Sequence, residues 1–239
     1  MKTMTWMRAM TLLALGLAAC ESTTSPQVLR NAQSLYAQGD YGTAIPLLQK
    51  AAEAGDVEAQ LTLGRAYDAG NGVAVNRSIA AQWYTKAAAQ GNAKAQDYLG
   101  TCYILGDGVG KDFATAVAWY QKSAAQSYPP ALNNLGLCYR NGEGVAEDAA
   151  MAADCFRRAA QMGDTNAQFN LGRCYYFNVG VPHDVEQAKF WMQRAAEQGH
   201  KNAKAFMEEN GMTSANGTLP TPAPETAPSG YAPLPPTVL

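Results

Sequence analysis

Histidine, reactive serine motifs and clusters of metal-binding side chains are scarce in this 239-residue chain. The only two histidines, His183 and His200, do not stand at ligand spacing from any Cys, Asp or Glu cluster. No serine is followed three positions later by lysine, and the recurring Gly-x-Gly-Val is a repeated turn rather than a phosphate-binding loop. We therefore predict no enzyme activity, no metal site and no cofactor.

A basic patch and a long hydrophobic run are lacking as well. The apolar run at residues 10–17 follows Lys2 and Arg8 and is too short to span a bilayer as a mature helix. Residues 1–19 are therefore predicted to be a secretory signal. Its removal leaves 16 basic and 20 acidic side chains, a formal charge of −4, so nucleic acid is not an expected partner.

The end of this signal resembles a bacterial lipobox. The residues are Leu17-Ala18-Ala19-Cys20, and the resemblance implies that Cys20 is lipidated and becomes the new N-terminus, followed by a tether over residues 20–26. Glu21 stands where an aspartate is the usual inner-membrane retention signal, which implies the periplasmic face of the outer membrane. The alternative is an ordinary cleaved signal that ends in Ala-Ala-Cys. The lipid would be the chain's only membrane contact.

Residues 211–239 differ in composition from the rest of the chain. They contain seven of the twelve prolines, between Pro220 and Pro236, and a single charged side chain, Glu225. Such a segment cannot bury enough apolar surface to offset the entropy lost on ordering. The sequence predicts a disordered tail with polyproline character.

A 36-residue repeat fills the middle of the chain. The same step separates successive copies of a Leu-Gly pair, of a tyrosine and of two alanines: Leu63, Leu99, Leu135 and Leu171; Tyr67, Tyr103, Tyr139 and Tyr175; Ala59, Ala95, Ala131 and Ala167; Ala80, Ala116, Ala152 and Ala188. Apolar residues within one copy follow helical spacing on both sides of a Gly-x-Gly-Val turn. Each copy is therefore predicted to be a helix hairpin.

Three details of the hairpin follow from residue type. The glycine of each Leu-Gly pair is predicted to let the two helices approach closely. The first turn glycine, replaced by Asn178 in the fourth copy, is predicted to end the first helix in a left-handed conformation. Four polar residues are predicted to cap the second helices: Asn76, Asp112, Asp148 and Asp184.

The combined pattern Ala-x-x-x-Leu-Gly-x-x-Tyr-x-x-Gly-x-Gly-Val resembles the Sel-one-like repeats (SLR), relatives of the tetratricopeptide repeat. The resemblance implies an all-α, right-handed α-solenoid of antiparallel helix hairpins over residues 27–210. The repeats are assigned to 57–92, 93–128, 129–164 and 165–200. A tetratricopeptide-like hairpin at 27–56 precedes them, and a closing helix at 201–210 follows.

Four cysteines lie in this body, namely Cys102, Cys138, Cys155 and Cys174. Three of them occupy one repeat position, and equivalent stacked helices lie too far apart for a disulfide. Buried, unpaired thiols are therefore expected. A bridge between Cys155 and Cys174 is left open, because a second helix packs on the next first helix.

The resemblance to tetratricopeptide solenoids also implies a partner-binding groove lined by the first helices. Carried over residue by residue, it selects Leu61, Arg65, Asp68, Asp97, Thr101, Ile104, Asn133, Leu137, Arg140, Phe169, Arg173 and Tyr176. Arginine binds carboxylates in a two-pronged geometry and aromatic rings supply apolar surface. Against this stands the view that these are ordinary exposed residues.

The function predicted from these features is that of an envelope-anchored scaffold or adaptor that binds one or more envelope proteins or peptides. The alternative is a factor that binds or assembles a cell-wall component, either peptidoglycan or an envelope polysaccharide. Some cysteine-rich members of the family are linked to penicillin binding or hydrolysis, but the missing serine motif makes a β-lactamase-like hydrolase the weakest candidate.

Overall fold

A computed structural model describes residues 26–212 of the chain. The predicted signal, the Cys20 lipidation site and residues 213–239 of the proline-rich tail lie outside the described residues. The described part contains eleven helices: α1 (Pro26–Ala37), α2 (Tyr41–Glu53), α3 (Val57–Ala69), α4 (Arg77–Ala89), α5 (Ala93–Leu105), α6 (Phe113–Ala125), α7 (Pro129–Asn141), α8 (Ala149–Gln161), α9 (Thr165–Phe177), α10 (Val185–Glu197) and α11 (Lys201–Glu209).

No β-strand occurs between residues 26 and 212, and neighbouring helices pack as antiparallel hairpins within residues 26–89 and within residues 113–209. This arrangement confirms the predicted all-α class of tetratricopeptide-like hairpins. No helix in the same range is long and apolar enough to cross a bilayer.

The chain divides into two compact units, which we call the N-terminal unit and the C-terminal unit. The first comprises the described residues up to 95 together with 107–109, and the second comprises 96–106 and 110–212. The N-terminal unit buries Leu48 and Leu63 among small alanines. The C-terminal unit has a larger core that includes Leu135, Phe156 and Trp191. Each unit thus has its own apolar interior.

The predicted N-caps of the second helices are confirmed. Asn76 accepts a hydrogen bond from the backbone N–H of Ile79, and Asp148 accepts one from Met151. Asp112 and Asp184 each accept two backbone N–H groups. These bonds satisfy N–H groups that the first turn of a helix leaves without partners.

Two glycines per repeat serve close packing, as the third repeat shows. A Cβ on Gly136 would lie 2.7 Å from a ring carbon of Phe156, so the predicted close approach of the two helices is confirmed. Gly144, at φ +75°, abuts the backbone carbonyl of Phe113 at the start of α6. The second turn glycine therefore lets the turn of one repeat pack directly against the backbone at the start of a helix in the preceding repeat. This close contact is a second reason for glycine here, in addition to the reversal of the chain.

Buried glutamines link neighbouring hairpins. Gln168 donates from Nε2 to the carbonyl of Ala160 in the preceding repeat over 3.3 Å, and its Oε1 accepts from Gln198 Nε2 over 3.0 Å. In the third repeat the corresponding residues are Leu132, which is fully buried, and Met162, which is 43% exposed. That repeat therefore replaces a polar link by apolar packing.

Candidate interaction surface

The predicted groove residues of the N-terminal unit are Leu61, Arg65 and Asp68. Leu61 is buried in the core, whereas Arg65 and Asp68 are exposed. Asp68 lies 4.0 Å from Arg77 Nε, and Arg77 is also 3.5 Å from Asp107. Both acids therefore share one surface arginine, an arrangement that adds little stability. Of these three residues, Arg65 is therefore the exposed polar side chain that takes part in none of these ion pairs.

The predicted residues Asp97 and Asn133 in the C-terminal unit lie beneath the surface. Asn134 donates to Asp97 Oδ1 over 2.9 Å, and Asn170 donates to Asn133 Oδ1 over 2.8 Å. Each bond joins one first helix to the next, and we call this pair of bonds the polar ladder. Asp97 and Asn133 are only 5% and 6% exposed, so their side chains hold the repeats together and have little surface for a partner.

Thr101 is also committed within the C-terminal unit. Its hydroxyl donates to the carbonyl of Asp97 one turn earlier over 3.1 Å, and it lies 3.1 Å from the hydroxyl of Tyr120 on α6. It therefore ties α5 to the second helix of its own hairpin.

Burial of Asp97 changes its ionisation. Loss of hydration raises the pKa of this carboxyl to about 6, against the lowering effect of the hydrogen bond from Asn134, and the charge of Asp164 adds a smaller increase. The surroundings of Asp97 therefore disfavour its charged form. The neutral carboxyl should stabilise the packing of successive first helices better than the carboxylate does.

The ladder position changes character on α9, where Phe169 takes the place of Asp97 and Asn133. Its ring lies 6.5 Å from that of Phe206 on α11, edge to face, and stacks on His200 at 4.6 Å. His200 also caps α11, because its Nδ1 accepts from the backbone N–H of Ala203. An aromatic contact thus replaces the polar bond between successive helices at this end of the unit.

An aromatic cluster surrounds Phe169. The ring of Tyr176 lies 5.0 Å from that of Phe177 and 5.2 Å from that of Phe206, both edge to face. We call Phe169, Arg173, Tyr176, Phe177 and Phe206 the C-terminal aromatic patch. Phe177 is 52% exposed, and Phe169, Tyr176 and Phe206 are half-buried, so the patch presents aromatic surface to solvent.

Arg173 gives the patch a positive charge. Its guanidinium lies 5.8 Å from the ring centroid of Phe169 and 5.9 Å from that of Phe177, and it has no carboxylate partner among residues 26–212. Arg140 on α7 is half-buried and donates to the side chain of its neighbour Asn141. Together with Arg157, both arginines act to lower the pKa of the Cys174 thiol, although burial outweighs them. The face therefore combines two cations with exposed rings.

The cysteines of the described part of the chain are buried or half-buried. None of the four cysteines there forms a disulfide, so the Cys155–Cys174 bridge that was left open above is not formed. Burial raises the pKa of Cys138 and Cys155 to about 12 and that of Cys174 to about 11, which keeps these thiols protonated and poorly nucleophilic. Between residues 26 and 212, no group of three His, Cys, Asp or Glu side chains is placed to hold a metal ion.

Sequence reasoning missed Phe177, Phe206 and the stacking role of His200. Phe177 stands where the other repeats have Ala69, Leu105 and Asn141, so the 36-residue pattern carries no signal for it. Phe206 lies beyond the last repeat. The available signal was the concentration of aromatic residues after residue 168, which no single repeat position explains.

The fold is shared with solved structures of known family. One is a protective antigen of uropathogenic Escherichia coli with an SLR fold, 34% identical with a TM-score of 0.71 over 82% of this chain; this chain spans only 44% of that protein's length. Another is a Sel1 repeat protein of Oxalobacter formigenes, 32% identical with a TM-score of 0.71, covering 76% of this chain and 74% of that one. An immunity protein of Pseudomonas aeruginosa, 22% identical with a TM-score of 0.52 over 77% of this chain and 70% of that one, shares the fold alone. No functionally curated protein matches the chain.

The family model for the Sel1 repeat settles the assignment. It matches five successive copies, at residues 32–56, 57–92, 93–128, 129–164 and 165–200. The first copy, at 32–56, lies within the hairpin predicted at 27–56 to be tetratricopeptide-like, so this hairpin matches the Sel1 repeat as well. Proteins of this kind are generally protein-interaction scaffolds. The chain therefore belongs to the Sel1 repeat family.

Proposed function

We propose that this protein is an envelope-anchored lipoprotein that binds a partner protein or peptide through the C-terminal aromatic patch together with Arg140. One observation carries the proposal. The two preceding equivalents of Phe169, Asp97 and Asn133, are buried and hydrogen-bonded, whereas the patch keeps an arginine without a carboxylate partner among residues 26–212 beside a half-exposed ring. Rings and arginines of this kind supply most of the binding energy at protein interfaces.

The chemistry of the surface selects a class of partner. Arg140 and Arg173 favour a carboxylate, which a guanidinium binds through two parallel hydrogen bonds. The rings of Tyr176, Phe177 and Phe206 favour an apolar or aromatic side chain nearby. The expected partner segment is therefore an extended peptide that carries an acidic residue next to an apolar one.

Capture of partners in the native envelope tests this function. The wild-type chain and the double variant Arg140→Glu with Arg173→Glu are cross-linked in intact cells, and partners are quantified by mass spectrometry. We expect recovery of the best partner to fall roughly tenfold or more in the variant, since two hot-spot arginines are replaced by repelling charges.

The matched control is Arg30→Glu with Arg194→Glu, which makes the same change in charge on exposed side chains of α1 and α10. Recovery should stay near the wild-type level in this control. Unchanged recovery in the Arg140 and Arg173 variant, with both variants folded, would show that the partner binds elsewhere.

The anchor has its own test. We propose that Cys20 carries the lipid and that Glu21 directs the protein to the periplasmic face of the outer membrane. Palmitate labelling of the wild type and of Cys20→Ala should differ, with label lost from the variant. Equal labelling of both proteins would refute the anchor, and density fractionation of the labelled protein checks the choice of membrane.

Binding of a glycan polymer is a second candidate, because the exposed ring of Phe177 offers a stacking surface of the kind that sugars use. Sedimentation with purified peptidoglycan or envelope polysaccharide tests it. Retention that Phe177→Ser abolishes would favour the glycan, whereas no retention leaves the protein partner as the function.

A further inference from the structure

The C-terminal aromatic patch lies beside the end of the described chain. Helix α11 ends at Glu209, and Met212 is buried in a small cluster with Met192 and Met207. Tyr176 and Phe206 of the patch pack against the same methionines. The chain therefore leaves residue 212 at the edge of the patch, and residues 213–239 continue from that point.

The composition of this continuing segment complements the patch. Residues 220–236 contain seven prolines and Tyr231, and their single charge is Glu225. Proline-rich segments bind aromatic-lined surfaces because the polyproline conformation loses little entropy on binding and its rings stack on aromatic side chains. The patch offers the exposed ring of Phe177 and the positive charge of Arg173, which has no carboxylate partner among residues 26–212.

We propose that residues 220–236 dock on the C-terminal aromatic patch of the same chain, with Glu225 at Arg173 and the prolines against Phe177. The segment reaches the patch easily, since the thirteen residues from Met212 to Glu225 span about 40 Å at about 3.1 Å per residue. Covalent attachment supplies an effective concentration on the order of millimolar, so a contact that is weak between separate molecules is populated within one.

Docking of this segment gives the surface a built-in competitor. A partner that uses Arg173 and Phe177 has to displace the segment first, which lowers its apparent affinity by the fraction of time that the patch is covered. This inference goes beyond the proposed function, because it concerns a contact within the chain and does not depend on which partner binds.

A photoreactive benzoylphenylalanine tests the contact in the mature full-length chain with Cys20→Ser, which removes the lipid anchor. The probe replaces Phe177, and the matched control places it at Leu105, which occupies the same repeat position on α5 and is 61% exposed. After irradiation, monomeric protein is digested and its cross-linked peptides are sequenced. Cross-links from position 177 should reach residues 220–236, and position 105 should give at least about fivefold fewer.

Charge reversal separates docking from mere proximity of a tethered segment. With the probe at position 177, Arg173→Glu should lower the yield of these cross-links about fivefold, and adding Glu225→Arg should restore it. Neither change alters the length of the tether. Equal yields in all three proteins, or cross-links found only between two molecules, would overturn the proposal.

Discussion

On α5 and α7 of the C-terminal unit, the repeat position of Asp97 and Asn133 lies buried in the polar ladder, whereas on α9 the same position holds Phe169 within the C-terminal aromatic patch. Each inner first helix donates to the one before it through an asparagine amide. At the end of the unit, α11 spans only nine residues and contributes Phe206 instead. The neighbour that follows decides whether this position is covered.

This difference between the polar ladder and the C-terminal aromatic patch separates the stacking of hairpins from the binding of a partner. Ladder residues stabilise the stacking of hairpins, because a buried amide or carboxyl without its partner is costly. Patch residues remain open in the described part of the chain because no further hairpin follows α11 up to residue 212. We therefore expect substitutions in the ladder to change the free energy of unfolding, and substitutions at the exposed rim of the patch to change binding.

The largest effect is expected from Asp97→Asn. The folded-state pKa of Asp97 is about 6, above its ordinary value of 3.8, so the folded chain holds the proton more tightly than the unfolded chain does. Its contribution to stability is complete below about pH 4 and is lost as the pH rises through 6. Asparagine removes this loss and should raise the free energy of unfolding by up to about 3 kcal/mol at pH 8.

Urea denaturation of both proteins at pH 4 and pH 8 measures this effect. The gain should be large at pH 8 and absent at pH 4. Asp68→Asn, which makes the same substitution at an exposed position, is the control, and its effect on the free energy of unfolding should be much smaller. A gain of equal size at both pH values would mean that the charge of Asp97 is not what the fold disfavours.

The second-largest effect is a loss of stability, which is expected from Asn134→Ala. The variant leaves the buried oxygen of Asp97 without its hydrogen-bond donor, which costs about 2 kcal/mol at pH 8. Because the two residues are partners, the loss should shrink when Asp97 is already asparagine. A double-mutant cycle measured by denaturation gives the coupling, and strictly additive effects would show that the ladder bond contributes nothing.

These features differ in how well the sequence predicts them. The caps at Asn76 and Asp148 depend on residues three positions away, so local pattern is enough. The ladder joins Asp97 to Asn134, 37 residues apart, and its position holds a different residue type in each repeat, so neither local pattern nor periodicity exposes it. The patch requires Phe206 from outside the repeats, which only the packing of α11 brings to Phe169.

Phe206→Ala is expected to act locally. The ring contacts Tyr176 and Phe177 and is half-buried, so its removal should cost about 1–2 kcal/mol. Since α11 is short and terminal, this loss should appear as faster amide hydrogen exchange over residues 201–209 and little change elsewhere. Lys204→Ala on the same helix is the control. Faster exchange throughout the C-terminal unit would show that α11 stabilises the whole unit rather than only closing it.

The smallest effect on stability is expected at Phe177, where the comparison is sharpest. Its ring is 52% exposed, so Phe177→Ser should lower the free energy of unfolding by no more than about 1 kcal/mol, as should Leu105→Ser at the matched position. Partner capture should nevertheless fall for Phe177→Ser and remain for Leu105→Ser, because only Phe177 adjoins Arg173 and the other rings. Denaturation and capture are measured on the same protein samples. A large loss of stability at Phe177 would instead place this residue with the ladder, among those that hold the hairpins together.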